Sequence, residues 1–291
     1  MNASDRLLAA IERVENPTVM GLDTQKGHLP AAFAPCGQTN EAVCDAILRY
    51  NRALLDNMSD LIGVVKIQIA YYEMYGLAGL SVFCQTLRYA REKGYVTIVD
   101  AKRNDIGSTA SAYATAFLGD GDFSCDFVTV NAYLGVDGVA PFVELAQKND
   151  RGIFVLVKTS NPSGIEVQDL MSGTKKVYEI MADLVSAWGA PLMGERGYSS
   201  VGAVVGATWP AQSAELRQRM PHTPFLAPGY GAQGATGHDL RGCFDKNGRG
   251  AVVNASRSLL TAHQKAPDLP WLDAVRAEAV RMQRDLTIGR V

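Results

Sequence analysis

Short apolar, β-branched runs alternate with amphipathic helical stripes from one end of this chain to the other, and no other feature restricts its fold as much. Strand-like runs fall at 18–23, 61–67, 95–98, 127–131, 153–157, 203–205, 225–227 and 250–253. Between them lie stripes of helical spacing, such as Leu7, Leu8, Ile11 and Val14, or Val43, Ile47, Tyr50, Leu54 and Met58. A stripe at Val177, Ile180, Met181, Leu184, Val185 and Trp188 reads as core, and a last helix runs from Trp271 to about Arg284. Strands that alternate with helices pair in parallel through right-handed crossovers. About eight such units in 291 residues fit a (β/α)₈ barrel, with an open doubly wound sheet as the alternative. No linker or shift of composition divides the chain, so 1–291 is expected to form a single α/β domain. Two segments read as long loops, 24–36 and 158–174, each carrying proline and glycine.

Composition excludes several classes. Hydrophobic residues make up 47% and charged residues 20%, which suits a large core and not disorder. A net charge of −2, with no basic run interleaved with aromatics, argues against a nucleic-acid surface. No apolar run approaches the roughly 20 residues that span a bilayer. Residues 1–6 open an amphipathic helix without a signal-peptide pattern, so a cytoplasmic location is expected. The five cysteines are scattered and contain no C-x-x-C pair, which suggests reduced thiols and no zinc site. The four histidines have no ligand spacing, and most read as surface residues.

In a barrel the chemistry sits where the strands end. The first strand ends in Asp23, the second carries Lys66 near its end, and the fourth ends in Asn131. The third strand continues into Val99-Asp100-Ala101-Lys102-Arg103-Asn104-Asp105-Ile106-Gly107. Strand alternation places Asp100 and Lys102 on one face. Burying such charges costs several kcal/mol unless they are paired, and pairing often only breaks even. A structural ion pair is the competing reading, but two lysines and three acids at one barrel mouth are better explained by catalysis. The fifth strand runs into Lys158-Thr159-Ser160-Asn161.

The last two strand ends differ. Pro228-Gly229-Tyr230-Gly231-Ala232-Gln233-Gly234 contains a G-x-G-x-x-G, yet it lies late in the chain, follows a proline, and lacks the acid that ribose binding would need. With Asn254-Ala255-Ser256-Arg257 it instead suits the phosphate cradle common after strands seven and eight, where backbone N–H groups and an arginine meet an anion.

Taken together, D-x-K-x-x-D on the third strand, a lysine on the second, P-G-x-G-A-Q-G after the seventh and S-R after the eighth resemble the orotidine 5′-phosphate decarboxylase family, in its longer-chain branch. The resemblance covers almost the whole chain. It implies conversion of orotidine 5′-monophosphate to uridine 5′-monophosphate and carbon dioxide, the last step of pyrimidine synthesis, with no metal or organic cofactor. By motif, Lys66, Asp100, Lys102 and Asp105 match the family's alternating charged network. The resemblance implies that Lys102 protonates the ring carbon. It also implies that Asp105 and Thr109 come from a partner subunit, in a homodimer with a shared site. Asp23 and Lys66 would hold ribose hydroxyls, Ser160 would contact the pyrimidine, and Gln233 and Arg257 would hold the phosphate. Asn131 and Ser256 complete the expected substrate-binding set; Ser256 stands where many members have glycine. Lids are expected at 24–36 and 234–242.

The nearest rival is a magnesium-dependent sugar-phosphate aldolase or decarboxylase of the same barrel group. Those enzymes share D-x-K-x-x-D but resemble one another in carrying glutamate where this chain has Lys66, and a lysine there replaces a metal ligand with a like charge. A non-catalytic phosphate binder need not keep every charge, and a Ser-His-Asp hydrolase would need a G-x-S-x-G elbow that this chain lacks.

Overall fold

All eight predicted strands form, and they close on themselves. A computed structural model describes residues 1–231 and 234–290. The barrel strands are β1 (Thr18–Gly21), β2 (Val64–Gln68), β3 (Val96–Arg103), β4 (Phe127–Val130), β5 (Gly152–Lys158), β6 (Val201–Val205), β7 (Phe225–Ala227) and β8 (Ala251–Ala255). Each pairs in parallel with its neighbours in sequence order, and β1 pairs with both β2 and β8. The open-sheet alternative is thereby excluded.

Apolar alternation explains closure. Val19, Val64, Ile98, Phe127, Phe154, Val204, Leu226 and Val252 fill the bore. Their neighbours Met20, Val65, Val99, Val128, Val155 and Val205 face the helices outside. Phe127 and Phe154 meet in the bore with centroids 5.0 Å apart. The first helix, Ala3–Val14, is capped by Asn2, whose side chain accepts from the Asp5 N–H, and its Ala3, Leu7 and Ala10 join the bore cluster from below. Strand parity then places Lys66 and Asp100 in the bore, two positions beyond Val64 and Ile98.

The register slips twice, in both cases near the mouth. Between β3 and β4 the register shifts between Val99 and Arg103, and between β5 and β6 it shifts between Leu156 and Lys158. The slip in β5 skips one residue and turns Lys158 to the outer face beside Val205, whereas the slip in β3 leaves Val99 and Arg103 on the same face.

The two expected loops are structured. Segment 24–36 holds 3₁₀ turns at Lys26–His28 and Ala31–Phe33, and the Phe33 ring packs 5.2 Å from both Tyr50 and Trp271. Segment 158–174 contains a short helix, Ile165–Gln168, and the first strand of a hairpin that pairs Met171–Ser172 with Lys175–Lys176. The helix Val177–Gly189 buries Tyr178, Ala182 and Val185, while Leu184 is exposed, so its inner face is rotated from the predicted stripe.

Candidate active site

Four charges run across the mouth in alternation. Lys66 on β2 lies between two carboxylates, its Nζ 3.3 Å from Asp23 Oδ1 and 3.1 Å from Asp100 Oδ2. On the far side of Asp100, the Lys102 Nζ donates to Oδ1 at 2.5 Å. Thr129 on β4 donates its hydroxyl to the same oxygen at 3.0 Å, and Ser256 donates to Asp23 at 2.6 Å. Lys102 and Asp100 meet for a reason other than strand alternation. Lys102 has φ 48°, in the left-handed region, and Thr129 Oγ1 accepts from the N–H groups of both Ala101 and Lys102. The register shift thus aims Lys102 back across Asp100.

Pairing governs protonation here. Burial works against the charge on Lys66, but Asp23 and Asp100 outweigh it and raise its pKa. Burial likewise opposes the charge on Asp100, yet Lys66 and Lys102 hold its carboxyl far below the usual range. All four groups have partners of opposite sign within the array. The Lys102 side chain is 44% exposed, against 13% for Asp100 and 5% for Lys66. It is the member that reaches into the cavity.

The cavity has two parts that share Pro228 and Asn254. One, of about 490 Å³, has Lys66, Asp100 and Lys102 on one side and Ser160, Asn161 and Gln168 on another. The other, of about 190 Å³, is lined by Asp23, His28, Tyr71, Tyr230, Ser256 and Arg257. Gly229 and Gly231 turn the chain there with φ of 109° and 67°, values that side-chain-bearing residues rarely adopt. One end therefore offers fixed charges beside a recessed space, and the other offers a guanidinium beside a glycine turn. A larger groove of about 1100 Å³ lies at the opposite end of the barrel, beside Pro17 and Gly250 where β1 and β8 begin. Chemistry in this architecture belongs at the strand C-termini.

Of the expected residues, Lys66, Asp100, Lys102, Asp23, Ser160, Ser256 and Arg257 come together in this cavity. Gln233 lies outside the described residues. Asp105 and Thr109 do not line the cavity; Asp105 accepts from the Ile106 N–H at 2.8 Å, and Thr109 is exposed on the helix Gly107–Leu118. Asn131 also stays outside, its Oδ1 accepting from the Tyr133 N–H at 3.1 Å. Lys158 faces away from the bore because of the register shift in β5.

Sequence reasoning missed several contributors. Thr129 is a buried strand residue whose role depends on its neighbour's bulge. His28, one of the histidines without ligand spacing, lines the smaller part of the cavity; its Nδ1 accepts from the Gln25 N–H at 3.3 Å, and burial together with Arg257 lowers its pKa. Asn254 lines both parts and donates to Ser256 at 3.3 Å. Behind Asp23, the Thr24 hydroxyl bonds Asn51, Asn51 bonds the Tyr72 hydroxyl, and Tyr72 donates to the Leu22 carbonyl, fixing the end of β1 at distances of 2.7, 2.9 and 2.8 Å. No local pattern announces that buried network.

A closed parallel barrel with four alternating charges, and a glycine turn beside an arginine, at its strand C-termini has the build of a (β/α)₈-barrel enzyme. The chain belongs to the orotidine 5′-phosphate decarboxylase / HUMPS family, whose sequence profile matches residues 21–268. It is 41% identical to the orotidine 5′-phosphate decarboxylase of Rhodopirellula baltica, over 98% of this chain and 99% of the relative. A solved structure from Streptomyces avermitilis superposes with a TM-score of 0.83 at 35% identity, covering 99% of this chain and 96% of the other. The Leishmania donovani OMP decarboxylase structure superposes with a TM-score of 0.77 at 27% identity, covering 100% and 99%.

Proposed function

We propose that this protein decarboxylates orotidine 5′-monophosphate to uridine 5′-monophosphate, the last step of pyrimidine biosynthesis, and that Lys102 supplies the proton. The observation that carries the reading is the Asp23–Lys66–Asp100–Lys102 alternation beside a cavity whose far end suits a phosphate. In the reaction the bond from ring carbon to carboxylate breaks and carbon dioxide leaves. The electron pair stays on an sp² ring carbon and cannot delocalise into the ring. An ammonium held beside that carbon stabilises the developing charge and then delivers a proton to it. Asp100 pairs with Lys102 and aims it, and presents a negative charge to the departing carboxylate. Ser160 contacts the pyrimidine, Asp23 and Lys66 the ribose, and Arg257 with Gln233 the phosphate, whose binding energy is available to hold the reacting ring in place.

No metal or organic cofactor takes part in this reading; the Lys66 ammonium occupies the position between Asp23 and Asp100 that a metal cation would need. The enzyme is proposed to work in the cytoplasm as a homodimer, with Asp105 and Thr109 completing the partner's site. Supporting this, Ile106 next to Asp105, Tyr133 and Leu134 on the loop after β4, and Val136 at the start of the helix that follows are exposed apolar side chains. No helix among the described residues is long and apolar enough to cross a membrane.

The test is the ultraviolet decay of orotidine 5′-monophosphate with purified protein in excess EDTA. Rapid conversion to uridine 5′-monophosphate is expected. Conversion only after magnesium is added back would move the protein to the metal-dependent rival, and none under either condition would refute the assigned reaction.

A further inference from the structure

Lys66 and Lys158 are the buried lysines among the described residues, and the reaction above uses only Lys66. The Lys158 side chain is completely buried, on the outer face of the barrel, because the register of β5 against β6 slips just before it. Its Nζ pairs with Asp169 and lies 4.6 Å from the Trp209 ring centroid and 5.3 Å from that of Tyr178. A buried ion pair of this kind is weak evidence for stability, since desolvation offsets most of the attraction. It does fix geometry. Burial works against the charge on Asp169, but Lys158 and, at 3.3 Å, Lys176 of the hairpin hold its carboxyl below the usual range.

The pair brackets the chain that walls the larger part of the cavity. Between Lys158 and Asp169 lie Ser160, Asn161, Val167 and Gln168, all facing that space. The segment is closed on itself by Gln168, whose Oε1 accepts from the Thr159 N–H at 3.0 Å and whose Nε2 donates to the Thr159 hydroxyl at 2.7 Å. Trp209 donates its indole N–H to the Thr159 carbonyl at 2.9 Å, so the ring over the Lys158 ammonium also ties down the start of the wall. The anion end is built elsewhere, from the turns after β7 and β8.

We propose that the Lys158–Asp169 ion pair is the positioning device for the base-binding wall: it sets Ser160 and Gln168 at the distance from Asp100 and Lys102 that the pyrimidine ring occupies. The inference rests on the decarboxylase reading. It predicts a split that general damage to the fold does not produce, because the pair acts on the base end and leaves the phosphate end intact.

The experiment measures binding of uridine 5′-monophosphate and of ribose 5-phosphate, which lacks the base, by calorimetry to the wild type, Lys158→Met and Asp169→Asn. The expected result is at least tenfold weaker binding of the nucleotide by the variants, with the ribose 5-phosphate Kd within twofold of wild type. Equal loss for both ligands, or no loss for either, in variants with native circular dichroism overturns the proposal. Should Lys158→Met fail to fold, Asp169→Asn carries the same comparison. Wild-type protein that binds ribose 5-phosphate but neither binds nor turns over the nucleotides overturns the decarboxylase reading, and the pair's role with it.

Discussion

Lys102 and Asp100 divide the work at the residue scale, because one is exposed to the cavity and the other is held charged from both sides. Replacing Lys102 by alanine removes both the proposed proton donor and its charge, so kcat/KM should fall by about 10³-fold or more in the ultraviolet assay. Lys102→Arg keeps the charge but cannot give up a proton at neutral pH, and should recover little of the loss. An arginine variant within tenfold of wild type would sink Lys102 as the donor. The network also has a pH signature. Asp100 is depressed when folded, so its contribution to stability is complete above the ordinary carboxylate pKa of about 3.9 and is lost as pH falls below it. Lys66 is raised, so its contribution is complete below the ordinary lysine pKa of about 10.4 and is lost above it. The melting temperature of wild type minus that of Asp100→Asn should therefore be level between about pH 5 and pH 9 and decline in more acid solution. A difference that stays level down to pH 2.5 would contradict the pairing.

Strand ends decide the site at the element scale, and two of them depend on close backbone approach. Gly206, just past β6, has no room for a side chain: a Cβ would sit 2.7 Å from the backbone N and Cα of Ser160. Because backbone rather than a flexible side chain is in the way, Gly206→Ala must push the wall segment away. The cost should be about 1–3 kcal/mol, seen as a melting point several degrees lower, with a severalfold rise in KM for orotidine 5′-monophosphate. An unchanged KM in a destabilised variant would show that Ser160 does not set the binding of the base. The segment 158–174 also shows why an element can hide from its sequence. Its helix, Ile165–Gln168, and the two-residue strands of the adjoining hairpin are too short to carry a periodic pattern, and side-chain bonds such as Gln168 to Thr159 hold them instead.

At the scale of the whole molecule, the loops after β3 and β4 carry exposed apolar side chains, and neither Asp105 nor Thr109 lines the cavity of its own chain. If those residues serve a partner, mixing Lys102→Ala with Asp105→Ala subunits should restore activity. Random exchange of two inactive parents yields heterodimers with one intact site each, about a quarter of wild-type activity by subunit statistics. No recovery, after subunit exchange has been demonstrated with tagged chains, would mean that Asp105 acts within its own chain.

The sequence by itself determined the barrel and the heart of the site. Eight apolar runs with helices between them leave few ways to bury both faces of a parallel sheet, and strand parity already sends Lys66 and Asp100 into the bore with Val64 and Ile98. Tertiary structure alone decided the rest. Whether Lys158 faces the bore or the helices depends on a register shift between β5 and β6. Lys102 meets Asp100 through a left-handed residue and the hydroxyl of Thr129 on the neighbouring strand. His28 joins the smaller part of the cavity because Phe33, five residues on, is anchored among Tyr50 and Trp271. Periodicity within a segment reports which face that segment buries. Register, bulges and loop anchoring are set by contacts between residues far apart in the chain, and no local pattern carries that information.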